Sequence, residues 1–224
     1  TLLQNDKLGE LNLNIKAVGQ GSDLNSLNAS LEAVVERFSY NGYPITNLEI
    51  TGDIEEGKGP VNTKYRDDNL NMTMENFLIL DTVATQVNTN LDVIGANLQA
   101  LGMSRRLIKV GFGIDASFKG NAEAYDVNAE IVDGVTVYGN QSYLLGDFLI
   151  SARVRPDSTA LDVVNQLLDV NLRSNADPGS FASALQRHYR SYLSATVETD
   201  TVEDPVNLQF HVEIRENPIL NEVF

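Results

Sequence analysis

Apolar and polar residues alternate one for one along most of this chain. Leu11-Asn12-Leu13-Asn14-Ile15-Lys16-Ala17 alternates strictly, as does Leu70-Asn71-Met72-Thr73-Met74 and, after one slip, Ile45-Thr46-Asn47-Leu48-Glu49-Ile50-Thr51. The pattern returns at Leu91-Asp92-Val93, over 110–116 and 148–154, at Val170-Asn171-Leu172 and over Leu208–Ile214. Successive side chains of a strand point to opposite faces, so each stretch predicts a strand with one apolar and one polar side. A single wet face is the mark of antiparallel pairing rather than of a parallel sheet covered on both sides. Asn accounts for 23 of 224 residues, mostly at polar strand positions or in turns such as Asn41-Gly42 and Gly139-Asn140.

One segment breaks the two-residue period. Asp177-Pro178 offers an N-cap followed by proline at the first helical position. Phe181, Leu185, Tyr189 and then Tyr192 or Leu193 recur at helical spacing, which predicts an amphipathic helix over 178–195. Residues 97–103 have the composition of a short helical turn. Residues 29–38 are helix formers by propensity, but an internal repeat overrules that reading.

At an offset of 99, Leu8, Leu11, Leu13, Ile15, Ala17 and Gly21 align with Leu107, Val110, Phe112, Ile114, Ala116 and Gly120. At an offset of 100, Leu27-Asn28-Ala29-Ser30-Leu31 aligns with Val127-Asn128-Ala129-Glu130-Ile131. Tyr43, Leu48, Ile50 and Ile54 then meet Tyr143, Phe148, Ile150 and Val154, and Leu70 and Met72 meet Val170 and Leu172. The chain therefore divides into a first β repeat unit, 1–106, and a second, 107–224, with the helix inserted in the second. That unit contains Asp133-Gly134 within 129–138, read as strand–turn–strand, so 29–40 is assigned to strands as well. Stacked repeats bury together faces that no unit buries alone.

Composition narrows the function. Sixteen Lys and Arg stand against 31 Asp and Glu, a net charge of −15, which argues against nucleic-acid binding and against anionic membrane surfaces. The chain has no cysteine, which excludes thiol catalysis, Cys-based zinc sites and disulfides, and no tryptophan. No run of 18 apolar residues occurs. His188 falls on the predicted helix and His211 on the polar face of a strand, neither with a local partner of triad or metal type. Glu55-Glu56 and Asp67-Asp68 sit beside turn residues, where carboxylates are usually solvated. Gly19-Gln20-Gly21 and Gly111-Phe112-Gly113 precede no helix, so they are not phosphate loops. No catalytic residue, metal ligand or cofactor site is expected.

The second unit carries a family resemblance. Residues 128–138, Ser142-Tyr143-Leu144-Leu145-Gly146-Asp147, Val154-Arg155-Pro156-Asp157-Ser158-Thr159, and Asn175-Ala176-Asp177-Pro178 with Phe181 and 184–188 resemble the TamB proteins of Bacteroidota, within the AsmA-like group. The likeness is clearest over 85–224. It implies an open, curved antiparallel sheet, taco-shaped, with an apolar groove in a very long, inner-membrane-anchored periplasmic protein. The implied work is outer-membrane biogenesis: phospholipid acyl chains move along the groove, with an outer-membrane barrel of the TamA/BamA type as partner. This chain would be an internal slice of such a protein, an expectation with which its apolar ends agree.

A lipid groove needs a charge-free concave surface, since each buried CH₂ contributes roughly 0.8 kcal/mol. The alternation nominates Leu11, Leu13, Ile15, Leu48, Ile50, Leu70, Met72, Leu91, Val93, Val110, Phe112, Ile114, Phe118, Phe148, Ile150, Val170, Leu172, Phe210 and Val212. The alternative is a secreted structural or adhesive β-sandwich in which the same residues form a closed core and no lipid binds. A hydrolase on a β scaffold is a third class, which lacks clustered acid and base residues. The helix, with Arg187 and Arg190 opposite Phe181 and Leu185, is either a lid over the groove or a cover for a sheet edge.

Overall fold

Thirteen-residue strands open both halves of the chain, and short hairpins follow each. A computed structural model describes residues 8–193 and 205–216. In chain order the elements are β1 (Leu8–Gln20), β2 (Asn28–Tyr40), β3 (Tyr43–Ile45), β4 (Leu48–Ile54), β5 (Lys58–Arg66), β6 (Leu70–Ile79) and β7 (Thr85–Asn97). They continue with β8 (Ile108–Gly120), β9 (Tyr125–Tyr138), β10 (Gln141–Leu144), β11 (Phe148–Arg155), β12 (Ser158–Val164), β13 (Leu168–Ser174), α1 (Pro178–Leu193) and β14 (Leu208–Ile214). All strands belong to one antiparallel sheet of order β1-β2-β4-β5-β6-β7-β8-β9-β11-β12-β13-β14, with β3 alongside β2 and β10 alongside β9. The chain is thus mainly β, a single open sheet with one helix, as the alternation predicts.

Asn41 and Gly42, at φ +51° and +82°, make the tight turn that pairs Tyr40 with Tyr43. Two positive φ values in succession suit the right-handed twist of the flanking strands, and Asn-Gly adopts them at little cost. Asp177 caps α1 as expected: its carboxylate accepts from the backbone N–H groups of Gly179 and Ser180 at 2.9 and 3.1 Å. The side chains of Arg187, His188 and Arg190 lie outside the described residues, so the lid and edge-cover readings of the helix fall there too.

Of three local expectations, one is met and two are corrected. Residues 29–38 run inside β2 as strand, in agreement with the repeat and against propensity. Asp133-Gly134 is no turn: β9 continues through it, and the two residues form a bulge where β8 passes from Gly111, opposite Val135, to Gly113, opposite Val132. Asp133 sits at φ +53°, and the two-against-one count leaves the alternation in phase on both sides. Residues 97–103 form hydrogen-bonded turns, with Leu101 N–H donating to the Asn97 carbonyl, rather than a helix.

Among the described residues no second layer stacks on either face, and extensive contacts join only strands adjacent in the sheet. No large side chain among the described residues is completely enclosed. Two small clusters of buried apolar residues lie at one end of the strands. Tyr43 and Leu101 close over Val93 and Ala96, and Leu167 meets Ile108. At the opposite end the hairpin turns are tied in series. Gly57 N–H donates to the Leu27 carbonyl, Leu80 N–H to the Gly57 carbonyl, and Asn121 Nδ2 to the Val83 carbonyl.

Candidate functional site

Directly opposed residues of antiparallel strands share a face, so the register alone sorts every paired side chain. Starting from Ile15, the pairs run to Ala33, Ile50 and Thr63, then to Met74, Leu91, Ile114 and Ile131. From Ile131 the row passes through Phe148 in β11. Its neighbour Ile150 continues to Val163, Val170 and Val212. All nineteen nominated residues fall on this one face: Leu11, Leu13 and Ile15 of β1, Leu48 and Ile50 of β4, Leu70 and Met72 of β6, Leu91 and Val93 of β7, Val110, Phe112, Ile114 and Phe118 of β8, Phe148 and Ile150 of β11, Val170 and Leu172 of β13, and Phe210 and Val212 of β14. The bulges in β1, β2, β7 and β9 each leave the phase unchanged, which is why so long a face survives five register shifts.

No paired position on that face carries Asp, Glu, Lys or Arg. Its few polar groups are satisfied locally. Asn76 Nδ2 donates to the Val61 carbonyl at 3.0 Å, and Thr89 Oγ1 donates to Asn76 Oδ1 at 2.8 Å. Buried Thr159 donates to the Ala176 carbonyl at 2.7 Å. Twelve strands spaced about 4.8 Å apart give the face a contour of about 53 Å across the strands. The central residues are half-buried, shielded by their neighbours and not by a facing layer, whereas both borders stand open: Ile15 is 53% and Phe210 63% exposed.

The end of the face near β3 is held by one carboxylate. Asp67 accepts from both Tyr43 and Tyr65 hydroxyls, the latter at 2.7 Å, and from the Asn69 and Leu70 N–H groups at 2.8 and 2.7 Å. Partial burial raises the Asp67 pKa, but the hydrogen bonds from Tyr43, Tyr65 and the two amides outweigh it, so the carboxyl titrates below the ordinary range. Burial, then the Asp67 hydrogen bond and charge, push Tyr65 upward, and the same two causes raise Tyr43. Sequence reasoning placed this aspartate in a solvated turn. The signal that would have found it was the pair of tyrosines at 43 and 65, far apart in sequence.

The opposite face holds a shallow depression of about 960 Å³ spanning β5 to β12. Asn62, Glu75, Asn90, Asp115 and Glu130 lie there in one row of cross-strand partners. Asn90 donates to Asp115 at 2.7 Å, while Asp162 is held by both Arg173 and Asn171. His211 faces Asn171 on this polar side. Among the described residues no group of three or more His, Cys, Asp or Glu is arranged to hold a metal ion. No family model, curated protein or solved structure matches the chain.

Proposed function

We propose that this chain is a non-enzymatic segment of a TamB-like protein of the AsmA group, whose apolar face carries phospholipid acyl chains across the periplasm. The observation that supports the reading best is the charge-free face twelve strands wide on which, among the described residues, no layer packs. An exposed apolar surface of that extent on a water-soluble protein calls for a ligand or partner. A closed sandwich would place a second sheet there.

Two repeats arranged in series fit the element order. Each half has a long hairpin (β1–β2, β8–β9), a short strand off the main path (β3, β10) and a three-strand meander (β4 to β6, β11 to β13). A cap crosses the apolar side at one end, where Asn41 Nδ2 donates to the Gly102 carbonyl at 2.6 Å. That bond joins the β2–β3 turn to the β7–β8 loop over the apolar side chains. In this reading acyl chains lie across the strands on the apolar face. The parent chain supplies the inner-membrane anchor and the docking to an outer-membrane barrel of the TamA/BamA type.

Ile114 and Ile150 test the proposal, because both sit mid-face and half-buried. Arginine at either position reaches water through an open groove, so the cost is about 1–2 kcal/mol, or a few degrees in Tm. In a closed core an unpaired charge would cost several kcal/mol and unfold the chain. Ile114→Arg and Ile150→Arg should stay folded by circular dichroism yet lose uptake of a fluorescent fatty acid. Asp115→Arg, on the opposite face beside Glu130, should keep uptake. Native mass spectrometry of protein purified from bacteria should also find bound phospholipid or fatty acid. Variants that unfold outright, or a wild-type chain that takes up no acyl probe, would overturn the proposal.

A further inference from the structure

We propose that the polar side of the sheet carries a docking trough along β8 for an extended segment of another polypeptide, one both basic and apolar. The inference does not depend on lipid binding, which uses the other side. Alternation makes this side mostly polar, but apolar groups gather along β8. Val132, Val135 and Val137 of β9 stand opposite Gly113, Gly111 and Lys109, and Leu144 of β10 stands opposite Val135. On the other flank Ile94, the bulged residue of β7, is 65% exposed, and Leu144 is 75% exposed. Ile94 and the three valines border a depression of about 790 Å³, and Gly111 and Gly113 place no side chain in it. Apolar groups gathered on the wet side of a sheet mark an interaction surface.

Width and charge identify the occupant. β7 and β9 flank β8 at two strand spacings, about 9.6 Å, which admits one extended chain but not a helix about 10–12 Å across. Asp92, Asp115 and Asp133 line the trough against a single cation, Lys109. Among the described residues no salt bridge involves any of the three aspartates. At Asn90 and Asp115 the trough opens into the larger depression, which Glu75 and Glu130 line and no lysine or arginine does. Asp115 and Glu130 are direct cross-strand partners, and like charges so placed repel each other. A cationic ligand relieves that repulsion, whereas the phosphate of a phospholipid is turned away. Apolar side chains of the bound segment drop onto the glycine floor. Its lysine or arginine stems lie along the apolar walls and bring their charges to the carboxylates.

The probe is a short dye-labelled peptide of alternating valine and lysine, followed by fluorescence anisotropy at low salt. It should bind saturably, one per chain, and weaken as salt rises. Peptides of alternating valine and glutamate, or of serine and lysine, should bind several-fold more weakly. Ile94→Arg, at an exposed position, should lower the affinity several-fold, and so should Asp92→Asn combined with Asp133→Asn. Asparagine tolerates the positive φ of Asp133, so that pair removes charge without straining the bulge. Both variants should stay folded by circular dichroism and take up the fluorescent fatty acid as the wild type does. Unchanged affinity in the variants overturns the trough, as does equal binding of either control peptide or a wild-type chain that binds none of the three. Displacement of the valine and lysine peptide by fatty acid would place it on the lipid side and also overturn it. A wild-type chain that binds this peptide but no acyl probe would sink the lipid reading alone and leave the trough standing.

Discussion

Asp67 is the residue on which one end of the apolar face depends. Its carboxylate has a lowered pKa, so its contribution is fully present above the ordinary aspartate value near 3.9 and is lost as pH falls through the lower folded value. Tyr65 and Tyr43 are raised, so theirs is present below about pH 10 and declines as the unfolded chain ionises first. Asp67→Asn keeps an acceptor for the Asn69 and Leu70 amides but turns an N–H₂ toward the two hydroxyls. At this half-exposed position the loss should be about 1–2 kcal/mol, a Tm drop of several degrees. The deficit should shrink in thermal melts as pH falls below the ordinary aspartate value, as the advantage of the wild-type carboxylate is lost. A deficit that stays the same as pH falls would mean that charge is not what holds the two tyrosines. None of this was legible locally, because Asp67-Asp68 beside Asn69 reads as an ordinary turn and the tyrosines arrive from 24 and 2 residues away.

At the scale of elements, the period-2 pattern was sufficient because register in a one-sided sheet is tightly specified: a slip by one residue would turn every apolar group outward. Strands, the antiparallel sheet and the shared face of the nineteen residues all follow from that, while the helix cap was legible separately in Asp177-Pro178. The bulge at Asp133-Gly134 did not, since the same dipeptide ends a hairpin when the flanking segments pair with each other. Here both flanks pair with β8, and the long run from Tyr125 to Tyr138 tips the balance. The polar depression was missed for a related reason. Asn at alternate positions announces a wet face, but whether that face is hollow depends on twist, which sequence does not carry. Gly59 is the element-scale weak point. A Cβ there would stand 1.9 Å from the Asp53 carbonyl oxygen, backbone that cannot yield. Gly59→Ala should therefore open the β4–β5 hairpin and cost about 2–4 kcal/mol, in the range of severe point mutations. A Tm within a degree of wild type would contradict the close approach.

Among the described residues extensive contacts join only neighbouring strands, with bridges between non-neighbours confined to the strand ends, and stability should be distributed accordingly. In a two-layer protein each strand packs on many others, so a local lesion lowers the stability of all. Here the contacts run along one dimension, and unfolding is governed by local terms and nearest-neighbour interfaces. A lesion at Gly59, in β5, lies seven positions along the sheet from β13. Hydrogen exchange of Gly59→Ala should show amides of β4 and β5 losing most of their protection, with the loss fading through β6 and β7. Amides of β11 to β13 should exchange nearly as in the wild type. Urea unfolding should be correspondingly broad, with an apparent slope below that of a cooperative 224-residue domain, because the halves do not melt as one unit. The same independence would suit the proposed carrier role, since a segment could open locally to admit an acyl chain without releasing its neighbours. A uniform loss of protection from β2 to β13 would mean that the halves are coupled through a shared core, and the apolar face would then have to be covered rather than open.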